Sequence, residues 1–157
     1  MTLVIVVIIM LAAFGSVYML KPSARQQRLA RLRYDAIKIG LQVKLETFKV
    51  DSKKMGVRDD IVAARYEILN ADIKSQALRW CIVRQAGWEQ EGLPEGWSWH
   101  GVGQKPDLAK LNALLATMTS DVVVIEVYDN RANVMTMENK ASSAAVIKQW
   151  VEEAQRL

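Results

Sequence analysis

The strongest hydrophobic pattern in the chain is an uncharged run over residues 2–20, TLVIVVIIMLAAFGSVYML. At 1.5 Å per residue, a helix of this length reaches about 28 Å, close to the thickness of a hydrocarbon core of about 30 Å. No basic residue precedes the run and no A-x-A cleavage pattern ends it, which argues against a cleaved secretory signal. We therefore expect a transmembrane anchor over residues 1–20.

A basic segment follows the run. Pro22 suits the first turn of a helix, apolar residues recur at helical spacing as far as Ile39, and Gly40 is a typical helix stop. A positive flank of this kind is retained in the cytoplasm, so the amino terminus would lie outside. This predicts a basic juxtamembrane helix over residues 21–40 and a cytosolic domain over residues 41–157. The basic residues between 21 and 44, opposed by one acidic residue, are Lys21, Arg25, Arg28, Arg31, Arg33, Lys38 and Lys44.

Beyond the basic segment, the polar and apolar positions alternate in the manner of strands. Residues 41–46 alternate strictly, residues 61–69 place Val62 and Tyr66 on one face, and residues 78–85 combine alternation with a buried run. Residues 97–100, WSWH, would form a hairpin against the preceding strand after the loop GLPEG.

The remaining elements return to helical and strand patterns. Asp107 is a predicted helix cap for residues 108–118, and residues 121–128 and 132–138 read as two strands joined by a turn. Ser142 or Ser143 would open a final helix. The predicted fold class is α+β: an N-terminal transmembrane helix and a juxtamembrane helix, then an antiparallel sheet of about five strands with two or three covering helices.

Charge and composition narrow the function classes. The net charge of +4 is a local property, because from Leu45 onward fourteen basic residues face sixteen acidic ones. A nucleic-acid partner is therefore not expected, since such proteins spread cations over the folded surface. The single cysteine, Cys81, reads as a buried strand residue, and the single histidine, His100, has no second His or Cys with which to share a metal. No metal and no cofactor is expected.

Three sets of residues are candidates for contacts. The basic side chains Lys21, Arg25, Arg28, Arg31, Arg33 and Lys38 would face anionic lipid or an acidic partner, although they also serve simply as a topology signal. Trp88, Trp97 and Trp99 form a candidate aromatic partner surface, with ordinary sheet packing as the alternative and Trp88, beside three glutamates, the one expected to be exposed. Ala12 and Ser16 form a small-xxx-small pair for helix packing in the anchor.

The sequence gives less support to a catalytic function. A tethered enzyme would use His100 with a carboxylate such as Glu89 or Glu95, converging in a pocket. The stretch Gly101-Val102-Gly103-Gln104-Lys105 lacks the spacing of a phosphate loop, and Pro106 stands where Ser or Thr is needed. We therefore assign no catalytic residue and do not expect an enzyme.

The layout of the first fifty residues resembles a known family. The apolar run, KPSARQQRLARLR and the strand LQVKLE are similar to small single-span bacterial inner-membrane proteins grouped with the YajC-type accessory subunit of the Sec translocon. The present chain lacks the KGDxVxT-like turn of that family and has a further hundred residues. The resemblance implies a bacterial inner-membrane location and an accessory role, and it implies no catalytic residue.

These observations predict a membrane-anchored accessory or interaction protein whose cytosolic domain binds a partner protein in or near an inner-membrane complex. A tether would raise the effective concentration of the two partners, so a weak contact would suffice. The alternatives are a module that senses the lipid surface through its basic helix and the tethered enzyme described above.

Overall fold

The computed structural model describes residues 2–19, 22–56, 59–139 and 143–157. The chain divides into two compact units, residues 1–31 and 32–157. The helices of the described residues are α1 (Thr2–Met19), α2 (Ala24–Lys38), the short α3 (Ser52–Met55), α4 (Leu108–Thr117) and α5 (Ala144–Arg156). The strands are β1 (Gln42–Phe48), β2 (Ile61–Leu69), β3 (Leu78–Val83), β4 (Ser98–Val102), β5 (Val122–Tyr128) and β6 (Arg131–Thr136).

The first unit corrects the prediction of a transmembrane helix. Helix α1 has 18 residues. Within the part of the chain that the structure describes, no helix combines the length and the apolar character needed to cross a membrane. The predicted anchor over residues 1–20 is therefore wrong, and the single-pass inner-membrane location and topology that depended on it are wrong for the same reason.

Both ends of helix α2 are fixed by local hydrogen bonds. At the start, the Ser23 amide donates to Gln26 Oε1 at 2.8 Å and the Gln26 amide donates to Ser23 Oγ at 3.2 Å, a reciprocal capping box. At the end, Gly40 has φ +93°. The amide of Gly40 donates to the Ile37 carbonyl and the amide of Leu41 to the Ala36 carbonyl, which is the Schellman arrangement that glycine permits.

The second unit is built on a six-stranded antiparallel sheet with strand order β1-β2-β6-β5-β3-β4. The β5–β6 hairpin lies at the centre, and β2 and β3 flank it on either side. Irregularities in β3 and β5 shift the register next to Trp80 and Val124. The sequence predicted about five strands and a hairpin of residues 97–100 against the third of them; the structure has six strands, and β4, which pairs with β3 and carries Trp99, confirms that hairpin.

The two faces of the sheet are covered differently. On one face, α4 and α5 bury a large core that includes Trp80, Tyr66 and Val134, together with Ile147 and Trp150 of α5. On the other face, a smaller apolar cluster is formed by buried residues of the strands and by Val50, which follows β1: Phe48, Val50, Ala63, Cys81, Val83, Val124 and Met135. Most of the apolar stabilisation therefore comes from the helix-covered face, where the largest side chains are removed from water.

A buried ion cluster joins residue 33 of α2 to the end of β6. The Arg33 guanidinium forms a two-pronged salt bridge with the Glu138 carboxylate, with Nε 2.8 Å from Oε1. The Tyr66 hydroxyl donates to the same Oε1 at 2.6 Å. Glu138 is 4% exposed and has φ +53°, a left-handed conformation that costs about 1 kcal/mol for a residue with a side chain. The cluster therefore holds a strained residue in place.

Replacing Glu138 with Ala should lower the free energy of unfolding by about 2–3 kcal/mol, because Arg33 and the buried Tyr66 hydroxyl lose their shared acceptor. Urea denaturation followed by circular dichroism measures this change. The matched control is Asn139→Ala at the exposed neighbouring position, which should change stability by less than about 0.5 kcal/mol. Equal effects of the two variants would show that the cluster does not stabilise the fold.

Because of Tyr66, the free energy of unfolding should decrease in alkaline solution. Burial, and next the Glu138 carboxylate, raise the pKa of Tyr66 above its ordinary value of 10.0. Above pH 10 the unfolded chain has lost this proton and the folded chain still holds it, so the free energy of unfolding decreases as pH rises, by up to about 1.4 kcal/mol per pH unit. Denaturation between pH 9 and about pH 11 should show a steeper loss for the natural chain than for Tyr66→Phe. Identical slopes would contradict this.

Candidate functional site

The candidate site is built on the β3–β4 edge of the sheet. Ile82 pairs with Trp99 and Val83 with Ser98, so the two strands turn their indoles toward the helix-covered core. Trp97 and Trp99 are 3% and 2% exposed. Both belong to the core and not to the predicted aromatic partner surface, which corrects that part of the prediction.

Trp99 also fixes the acidic segment that precedes it. Its amide donates to the Glu89 carbonyl at 2.8 Å, and its indole Nε1 donates to the Glu91 carbonyl at 3.0 Å. Because the ring is buried, these two hydrogen bonds connect the segment directly to the core. The Glu89 and Glu91 side chains are exposed, so the backbone is held while the carboxylates face solvent.

Further contacts hold the rest of the loop over residues 84–97. Arg84 donates to the carbonyls of Val122 and Thr119 at 2.7 and 3.0 Å, and its guanidinium lies 4.6 Å from the Trp97 ring centroid. Desolvation lowers the pKa of Arg84. Within the loop, the Asn112 side chain of α4 donates to the Gly92 carbonyl at 3.0 Å. The loop is therefore tied to the core at both ends.

A Cβ at Gly92 would lie 2.6 Å from a methyl group of Leu108. Gly92 also has φ +79°. The left-handed backbone explains why glycine occupies this position, and a Cβ there would also require the Leu108 methyl groups to move. The loop consequently packs directly against the start of α4.

Trp88 projects from the loop and is 76% exposed. The edge of its indole lies beside the backbone of Gly56, where an added Cβ would be 3.3 Å from Trp88 Cζ2. Next to the indole is a concave site of about 310 Å³, which we call the Trp88 notch. The notch is lined by Trp88, Glu89, Gln90, Glu91, Trp99, Val102 and Lys105.

The charge of the Trp88 notch is acidic. Glu91 lies 3.4 Å from Lys105 in an exposed ion pair, and such pairs contribute little because water screens them. Glu89 adds a second carboxylate, and Glu95 lies in the same exposed loop. An indole face beside carboxylates is suited to bind a cation, since both the ring quadrupole and the negative charges attract it.

The predicted basic residues differ in their exposure and in their contacts. Arg25, Arg28 and Arg31 are exposed on α2, and Lys21 lies outside the described residues. Arg33 is engaged in the buried cluster with Glu138, which raises the pKa of Arg33, so it is not available to a lipid surface. Lys38 lies over the Tyr34 ring, 4.6 Å from its centroid.

The remaining predicted residues have local structural environments. Ala12 is exposed on α1, and the Ser16 side chain lies outside the described part of the chain. His100 packs edge-on against the Phe48 ring with centroids 4.8 Å apart, and its Nε2 accepts the Asp51 amide at 3.0 Å. These contacts give the imidazole a structural role in connecting β4 to the segment before α3.

Packing favours glycine at positions 101 and 103, most strongly at Gly103, where the close neighbour is backbone. A Cβ at Gly101 would lie 2.7 Å from Leu78, and a Cβ at Gly103 would lie 2.5 Å from the Leu78 carbonyl oxygen. The amides of Gly103 and Gln104 both donate to the Arg79 carbonyl at 2.8 Å. These amides are thus used within the sheet edge and do not form a phosphate-binding cradle.

Sequence reasoning missed a polar network on the second sheet face. Arg65 bridges Glu46 at 2.9 Å and Glu126 at 2.6 Å, and Asn133 donates to Glu126 at 3.1 Å. The pKa of Tyr128, beside this network, is raised by burial and next by Glu126. The sequence signal for this network is Glu126, a single carboxylate within the apolar strand β5. A carboxylate that is buried needs a partner.

Within the residues that the structure describes, no group of three or more His, Cys, Asp and Glu side chains is arranged to hold a metal ion. Comparison of the chain with protein families, curated proteins and solved structures gives no match. The resemblance to YajC-type proteins therefore stays a prediction, and the function has to be argued from the site.

Two tryptophan variants should distinguish an exposed indole from an indole in the core by their effects on stability. Trp88→Ala should change the free energy of unfolding by less than about 1 kcal/mol, because an exposed ring contributes little to packing. Trp99→Ala should cost about 3–5 kcal/mol, because it leaves a cavity and removes the bonds to the acidic loop. Chemical denaturation of both variants measures the difference. A large loss for Trp88→Ala would place its indole in the core.

Proposed function

We propose that this protein is an interaction module that binds a partner protein at the Trp88 notch, and that the partner presents a Lys- or Arg-containing segment. The single observation that carries the proposal is the exposed indole of Trp88, at 76% exposure, beside a concave site with carboxylates. Tryptophan is strongly enriched among the residues that dominate protein interfaces, since it offers a large rigid area with one hydrogen-bond donor.

The fixed loop supports affinity. Trp99 and Asn112 hold the loop backbone by hydrogen bonds at 2.8–3.0 Å, so binding would order few additional groups. Association is weakened by every loop and side chain that must be immobilised, and a rigid site avoids much of this cost. A shallow notch can therefore serve as a specific contact.

The acidic side chains support the choice of partner. A cationic side chain stacked on Trp88 would replace the weak Lys105–Glu91 pair, which has an N–O distance of 3.4 Å, and would meet the exposed Glu89 carboxylate. Because these charges lie at the surface, the interaction should weaken as salt is raised. An acidic partner segment would be repelled by the same site.

The test is site-specific photo-cross-linking from position 90, on the lining of the notch, in cells that produce the chain naturally. The expected result is a protein captured through a basic segment, mapped by mass spectrometry, with capture lost in Trp88→Ala and reduced in Glu89→Gln with Glu91→Gln. In a binding assay with that mapped segment, Trp88→Ala should weaken affinity about thirtyfold, as expected for an interface hot spot.

Two controls make the test specific. A cross-linker at Gln149 of α5, which is also exposed, should not capture the same protein, and Trp88→Phe should retain part of the affinity because the aromatic face remains. If the captured segment has no basic residue, or if Trp88→Ala leaves its binding unchanged, the proposal is incorrect.

A further inference from the structure

The two edges of the sheet differ in how they are covered. At one edge, β4 has five residues, and the amide of Trp99 within it donates to the Glu89 carbonyl of the neighbouring loop. At the other edge, β1 has seven residues, contains no proline and pairs with β2 without a register shift. Proline, bulges and covering loops are common devices that stop an edge strand from pairing with another chain. The β1 edge lacks them.

The outer side of the β1 backbone is available for pairing. In an antiparallel edge strand, every second residue turns its N–H and C=O groups away from the sheet. Within the part of the chain that the structure describes, no hydrogen bond other than those of the pairing with β2 uses the backbone of residues 42–48. A further strand could therefore add to the sheet along the whole of β1.

Lys44 and Glu46 project from the same face of β1, two residues apart. Lys44 lies opposite Arg65 in the ladder with β2, and like charges directly opposite each other are unfavourable. Among the described residues, Lys44 forms no salt bridge. The Arg65 guanidinium bonds both Glu46, at 2.9 Å, and Glu126, at 2.6 Å, so one cation serves two carboxylates. One lysine and one negative charge therefore remain to be matched beside the edge.

The β1 strand of a second copy would match both charges in a single register. In an antiparallel pair with two-fold symmetry, the outward backbone groups meet only when a residue, and not a peptide bond, lies on the axis. With residue 45 on the axis, Lys44 of each copy lies opposite Glu46 of the other. With residue 44 or 46 on the axis, two lysines or two glutamates would face each other. Charge therefore selects the register centred on Leu45.

The other face of β1 supplies apolar contact in the same register. Leu45 is 65% exposed, although its ladder partner Ala64 is buried. Val62, two residues from Ala64 on the same face of β2, is 64% exposed. With residue 45 on the axis, the Leu45 side chains of the two copies meet. Their contact removes apolar surface from water, which favours association.

We propose that two copies of this chain associate through β1, edge to edge and antiparallel, with Leu45 on the two-fold axis. The two six-stranded sheets then form one continuous sheet. Strand β4 lies at the far edge of each sheet, so both Trp88 notches stay open. The pairing does not depend on what the Trp88 notch binds.

The test is disulfide cross-linking of the full chain in a mild detergent, which suppresses association through the exposed apolar side chains of α1. In Leu45→Cys, the Cα atoms of the two copies would be about 4.5–5.5 Å apart, within the reach of a disulfide. Val62→Cys is the matched control, because Val62 is equally exposed but one strand further in. Its two copies would be separated by three strand spacings, about 14 Å.

Mild oxidation should produce the covalent dimer about tenfold faster from Leu45→Cys than from Val62→Cys. The natural chain, whose Cys81 is buried, should give no covalent dimer. Equal rates for Leu45→Cys and Val62→Cys, or no dimer from Leu45→Cys, would overturn the proposal.

Charge variants, each combined with Leu45→Cys, test the register. Lys44→Glu and Glu46→Lys should each slow cross-linking about tenfold, because both place like charges opposite each other. An equimolar mixture of the two should restore the rate, since every glutamate then faces a lysine of the other copy. Lys110→Glu on α4, at an exposed position, should have no effect. A mixture that cross-links no faster than either variant alone, or an equal effect of Lys110→Glu, would overturn the proposal.

Discussion

The candidate interface depends on the position of one side chain, the indole of Trp99. The ring is buried in the helix-covered core, its Nε1–H donates to the Glu91 carbonyl, and the backbone amide of Trp99 donates to the Glu89 carbonyl. A buried ring is held by packing on all sides, so these bonds transmit the rigidity of the core to a solvent-exposed loop. The consequence is that Trp88 and its neighbouring carboxylates are presented on a fixed backbone, although the residues themselves face water.

The two faces of the sheet have different roles. One face builds the core under α4 and α5, and the Arg33–Glu138–Tyr66 cluster closes that face at the end of β6. The other face carries the polar network around Glu126. Because the stabilising clusters and the proposed binding residues are different side chains, substitutions at Trp88 can change binding without unfolding the protein.

Local chemistry explains which features could be predicted from the sequence. The strand at Ile61–Leu69 and the caps Asp107 and Ser143 were readable because alternation and capping act over a few residues. The burial of Trp97 and Trp99 could not be predicted, because alternation shows which residues share a face of a strand but not which face the helices cover. The Arg33–Glu138 bond joins residues 105 positions apart, beyond any local pattern. The membrane span was inferred from the length of an apolar run, and no helix of the described residues combines the length and the apolar character that a span needs.

Hydrogen exchange of the tryptophan indoles, followed by nuclear magnetic resonance, tests the central claim most directly. The account predicts that the Trp99 indole N–H, bonded to the Glu91 carbonyl, is strongly protected and exchanges only when the core opens. The indole N–H of Trp88 should exchange rapidly in the same sample. Rapid exchange at Trp99, or protection at Trp88 in the isolated chain, would contradict the view that a core tryptophan anchors an acidic loop and presents an exposed one.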